Sequence, residues 1–212
     1  FAIVIRSVLR IFVVLIAVLT ILSILGVPVT SLVAGISILG IAVGLGSQSL
    51  VKDVIQGMLI IAENQLRKGD IVRIKWRAGL VEDLNLRRIL IRDLDGALHI
   101  IPNGSTDIIT NLTSQWSRVN IEINVSYEED LEKAIKTLND IGDKVDNDQN
   151  IGRFIKEKPR VWTITSFSDS GVRLKFVGVT QPGKQWEVRT QVIREIKIAF
   201  DNEGIKIPYN QI

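Results

Sequence analysis

The sequence predicts a membrane α-helical N-terminal part followed by two soluble portions, first a small β domain and then an α+β domain. Three observations predict it. The 41 residues from Ile11 to Val51 include no Asp, Glu, Lys or Arg. Residues 70–103 form short alternating runs broken by turn residues. Beyond Val119 the order strand, helix, two strands, helix can be read along the chain. The expected divisions are 1–64, 65–118 and 119–212.

One membrane span needs about 20 apolar residues to cross roughly 30 Å of hydrocarbon. The uncharged stretch, as a single helix, would run about 60 Å at 1.5 Å per residue. It therefore predicts two crossings that turn at Gly26-Val27-Pro28, where glycine and proline break the pattern. A secretory leader fits this run poorly, because its apolar region is only about 7–15 residues long. Arg6 and Arg10 precede the first span, and Lys52, Arg67, Lys68 and Arg73 follow the second, with no charge in the turn. Cytoplasmic flanks carry excess Lys and Arg. Both outer ends, and the soluble domains, are expected in the cytoplasm. The chain opens at Phe1 directly on hydrophobic residues, which predicts further sequence upstream.

On a helix at 100° per residue, Ala34, Ile38, Ile41, Leu45 and Gln48 share one face. Gly35, Ala42, Gly46 and Ser49 line one flank of that face, and Ser37, Gly40, Gly44 and Ser47 line the other. Ile36, Leu39, Val43 and Leu50 fill the back. Small residues let helix backbones approach closely within a membrane. A helix pair needs one such flank. Two flanks suit a helix that touches two identical neighbours in a ring, with the face between them turned to the axis. Ile41 and Leu45 would then form two stacked apolar rings, and a narrow apolar constriction stops ions by dewetting. Gln48, one turn on, would give a polar rim.

From Leu50 to Ala62 the pattern becomes amphipathic, with Lys52, Asp53 and Gln56 opposed to Val51, Val54, Ile55, Met58 and Leu59. Charged residues here predict a segment that leaves the membrane core for its surface. A bend at Gln48-Ser49 would achieve that, since kinks gather at Gly and Ser. Gly57 is a second candidate hinge, or else a point of tight packing against the β domain.

The soluble part should begin with strands at Ile71–Lys75, Leu80–Leu84, Leu86–Arg92 and Ala97–Ile101, with a hairpin turn at Asp95-Gly96. Next come a strand at Asn120–Ser126, a helix at Glu128–Ile141, strands at Val161–Phe167 and Val172–Val179, and a helix at Gln185–Asn202. That order suggests a ferredoxin-like α+β domain. After Asn64 the chain carries 23 basic and 21 acidic residues, a balance that argues against a nucleic-acid face. There are no cysteines, and the single histidine, His99, stands in an alternating strand without a catalytic partner. No enzyme activity, metal or cofactor is expected. A membrane-anchored scaffold, binding through its β domain, is the alternative function.

The run from Gly40 to Gly57, GIAVGLGSQSLVKDVIQG, closely resembles the mechanosensitive channel of small conductance family. The likeness continues through Lys68-Gly-Asp-Ile-Val-Arg-Ile, Asp95-Gly96, Ile101-Pro-Asn103 and Ile207-Pro-Tyr-Asn-Gln211. It implies a homoheptamer in the inner membrane of a prokaryote, opened by tension to pass ions and small solutes. It also implies a kinked pore helix, an Sm-like small barrel for the β domain, and a hollow cytoplasmic cage. By position Ile41 and Leu45 match the family's two seal residues. Gly40, Ala42 and Gly44 match the small residues along which neighbouring pore helices slide. Ser49 stands where some members have a kink glycine, and Asn64-Gln65-Leu66 replaces an arginine-proline-phenylalanine type junction. The family pattern further implies another membrane helix upstream and a closing strand downstream.

Overall fold

The computed structural model describes residues 2–168 and 170–208. Ile207 and Pro208 of the terminal motif are therefore described, whereas Tyr209, Asn210 and Gln211 lie outside the described residues. The chain divides into two compact units, Phe1–Lys52 and Asp53–Ile212.

The first unit holds α1 (Ala2–Ile24) and the larger part of α2 (Thr30–Ala62). Each carries a stretch long and apolar enough to cross a membrane, and that stretch is not buried within the chain. The stop of α1 has a local cause. Gly26 takes φ +78°, a left-handed conformation natural only to glycine, and the amides of Gly26 and Val27 turn back to the carbonyls of Ser23 and Leu22. This closes the helix where the sequence predicts the turn.

In the second unit, residues 71–111 form a five-stranded antiparallel sheet. Its strands are β1 (Ile71–Ile74), β2 (Arg77–Leu84), β3 (Arg88–Arg92), β4 (Leu98–Pro102) and β5 (Ile109–Asn111), in the order β4-β3-β2-β1-β5. Two details depart from the sequence reading. The expected strands ended at Lys75 and resumed at Leu80, but Lys75 takes φ +53° and reverses the chain, so β2 starts at Arg77. The short strand β5 was not expected; it exists because β1 offers Val72 to Ile74 as a pairing edge. Leu66, Val72, Ile74, Val81, Ile89 and Ile91 close the core together with Ile60 of α2. The Asp95-Gly96 turn forms as expected. Gly96 has φ +83°, and the Asp93 carboxylate accepts from the amides of Asp95 and Ala97.

The α+β portion comprises β6 (Ser117–Ser126), α3 (Leu131–Asp146), β7 (Ile155–Ser168), β8 (Gly171–Thr180) and α4 (Gln185–Glu203). Its sheet order, β6-β8-β7, places the third strand between the first two, as the ferredoxin-like expectation requires. Both helices cover one face, where Val119, Ile121, Leu174 and Phe176 meet Leu138, Val192 and Phe200. Helix α3 begins three residues later than expected because Asp130 caps it, accepting from the amides of Glu132 and Lys133. It also runs past Ile141 to Asp146, since Val145 completes the buried stripe.

Candidate functional site: the second helix

Helix α2 is continuous over its 33 residues and remains helical through Gln48, Ser49 and Gly57. Its upper part carries the candidate seal. Within the chain Ile41 is 64% and Leu45 70% exposed, and on the back Leu39 and Val43 are equally bare at 66% and 70%. Exposure alone does not rank the two faces. The flanks do.

A Cβ built at Gly35, Gly40, Gly44 or Gly46 meets nothing within 4 Å beyond the helix's own backbone. These glycines do not serve packing against α1. Both small-residue flanks, and Ala42 between Ile41 and Val43, look outward from the chain. Ser37 and Ser47 donate to the carbonyls of Val33 and Val43, at 2.7 and 2.8 Å, so their hydroxyls are satisfied without water. Gln48 and Ser49 are exposed at the end of the stripe.

Below Lys52 the helix belongs to the second unit. Asp53, read from the sequence as a polar residue at the membrane surface, is only 6% exposed. Its Oδ1 accepts a 2.8 Å hydrogen bond from the backbone N–H of Gly104. One turn on, a Cβ at Gly57 would stand 2.2 Å from both the carbonyl oxygen of Leu86 and Nδ2 of Asn103. That close approach accounts for glycine at 57 without a hinge. Asn103 in turn donates to the Asn85 carbonyl at 2.9 Å, and its backbone N–H donates to Arg87, also at 2.9 Å. Ile60, 1% exposed, completes the attachment in the β core. Asp53, Asn103 and Gly104 were missed as a set. The available signal was a lone carboxylate in a long, largely apolar helix, which demands a partner.

The remaining sequence candidates resolve simply. His99 Nε2 lies 2.8 Å from Asp93 Oδ2, a satisfied strand histidine. That contact, with the Ala97 amide, holds the Asp93 carboxyl below its ordinary value. No cluster of metal-ligating side chains occurs among the described residues. Trp76, at the β1–β2 tip, stands 79% exposed.

Three family models match in succession along the chain. They are described as mechanosensitive ion channel, transmembrane helices 2/3, over residues 7–48; mechanosensitive ion channel, beta-domain, over 49–114; and mechanosensitive ion channel MscS, C-terminal, over 119–207. The small-conductance mechanosensitive channel of Caldanaerobacter subterraneus subsp. tengcongensis is 36% identical over 190 residues, covering 90% of this chain and 66% of the relative. The moderate conductance mechanosensitive channel YbiO of Escherichia coli is 34% identical over 204 residues, covering 96% of this chain. The chain spans only 27% of that relative's length. The crystal structure of Helicobacter pylori MscS in a closed state superposes with a TM-score of 0.76 at 29% identity, covering 97% of this chain and 81% of that one. The apolar helices, the β domain and the α+β domain thus each have a counterpart in the same order, and the chain belongs to the MscS family of mechanosensitive ion channels, which are membrane proteins.

Proposed function

We propose that this chain is one subunit of a homoheptameric channel that membrane tension opens, passing ions and small osmolytes during osmotic downshock. The observation that carries the reading is the pair of small-residue flanks on α2, bare at Gly35, Gly40, Gly44 and Gly46, on either side of an apolar stripe. In the ring, Ile41 and Leu45 face the axis as stacked seals and Gln48 forms the rim. Ser37, Gly40, Ala42, Gly44 and Gly46 let adjacent copies approach. Gln48 and Ser49 are the proposed hinge, since helix kinks gather at Gly and Ser positions. The ring sits in the inner membrane of a prokaryote with both soluble domains in the cytoplasm, as Arg6, Arg10 and Lys52 at its flanks favour.

Burying one large aliphatic side chain is worth about 1.5–3 kcal/mol. Two rings of seven such side chains hold about 20–40 kcal/mol as an upper bound. Tension offsets a penalty of that order when the open state occupies more membrane area. Patch recording under suction tests the reading. Ile41→Ser and Leu45→Ser should each open at lower tension than the parent, and an unchanged threshold in both overturns the seal assignment. Mass measurement in detergent tests the sevenfold ring independently.

A further inference from the structure

Where the β domain meets the α+β portion, within the second unit, lies an open cavity of about 870 Å³. Its walls come from β1 (Arg73), the start of β6 and the residues just before it (Trp116, Arg118), and the first turns of α4 (Trp186, Arg189). Among the described residues no Asp or Glu lines it. Arg92, Arg160 and Arg173 pair with Glu82, Asp143 and Glu122. Among the described residues Arg73, Arg118 and Arg189 have no such carboxylate. Lys156 adds a further cation at the edge, its Nζ donating to the carbonyl of Gln115, which also lines the cavity.

Aromatic surface accompanies the charge. Trp116 and Trp186 remain 46% and 44% exposed, and the Arg118 guanidinium lies 5.2 Å from the Trp116 ring centroid. A guanidinium held over an indole is kept in place while its N–H groups stay available to an anion. Guanidinium groups match the paired oxygens of phosphate, and indole faces match flat aromatic rings. The volume falls within the range of about 300–1,000 Å³ usual for small-molecule sites. We infer that this cavity binds a nucleoside phosphate, with the phosphates on Arg73, Arg118 and Arg189 and the base against the tryptophans. The inference uses none of the seal residues, since every residue in it belongs to the second unit.

The test uses the full chain in detergent with Trp76→Phe and Trp162→Phe, so that fluorescence reports Trp116 and Trp186 alone. Adenosine 5′-diphosphate should quench saturably, and inorganic pyrophosphate and adenosine should each bind at least about tenfold more weakly. Arg118→Gln and Arg189→Gln should each weaken the diphosphate by roughly tenfold, since a hydrogen bond to a charged group is lost. Arg118→Lys, which keeps the charge but not the fork, should fall between. Unchanged circular dichroism and elution volume exclude misfolding as the cause. Equal affinity for pyrophosphate and the diphosphate would reduce the cavity to a diffuse anion field. Either that result, equal affinity for adenosine, or an absence of saturation overturns the inference.

Discussion

The Asp53 carboxylate, the one acidic side chain of α2, accepts a hydrogen bond from the Gly104 backbone N–H at 2.8 Å. This contact joins α2 to the turn after β4, across 51 residues of sequence. Asp53→Ala leaves a buried donor without an acceptor, a loss of about 1–3 kcal/mol. Thermal unfolding of the second unit should move down accordingly. Asp53→Asn retains a carbonyl acceptor and should recover most of the loss. Equal melting of the alanine variant and the parent would contradict the contact's energetic role.

Gly57 distinguishes packing from bending. Alanine raises helix propensity by about 1 kcal/mol over glycine. Here its Cβ would overlap the Leu86 carbonyl, which cannot step aside as a flexible side chain can. Gly57→Ala should therefore destabilise the protein by about 1–3 kcal/mol, the usual scale of overpacking. A rise in melting temperature would instead indicate that the backbone at 57 yields, as a hinge must.

Gly44 offers the opposite case. Within the chain it has open space on every side that a Cβ could occupy. Gly44→Val should leave the circular dichroism of the soluble domains unchanged while shifting the tension threshold in patch recording. An identical threshold would mean that no neighbouring copy approaches this flank.

Asp143 should contribute to acid sensitivity. Hydrogen bonds from Lys158 first, and then from Arg160, hold its carboxyl below the ordinary aspartate value. A carboxyl depressed in the folded state adds stability above its unfolded pKa and loses it as pH falls through the folded value. The relevant window thus opens below about pH 4, where an unperturbed aspartate begins to protonate. Asp143→Asn should flatten the pH dependence of melting in that window. A slope identical to the parent's would remove Asp143 from the account.

The membrane helices were legible because their signal is local. Uninterrupted apolarity, the Gly26-Val27-Pro28 stop and the 3.6-residue spacing of small residues all lie within one segment. The ferredoxin-like order was legible for the same reason, through alternation in β6 and β8. Strand β5 was not, since three residues carry no period and exist as a strand only through β1. Asp53 was misread for a related reason. Its partner Gly104 is distant in sequence, and a carboxylate next to Lys52 on an amphipathic stretch looks equally suited to a headgroup region or to a buried amide. Gly57 was left open between two roles that both call for glycine, and only the position of Leu86 weighs between them.

The bare backbone at Gly40 and Gly44 has a mechanical consequence. Interlocking side chains resist displacement, because each step past a neighbour forces rotamers out of their wells. An edge without side chains has no teeth to disengage. A second helix moving along it would meet little friction, so the speed of any rearrangement there would be governed by the surrounding lipid rather than by the protein contact itself.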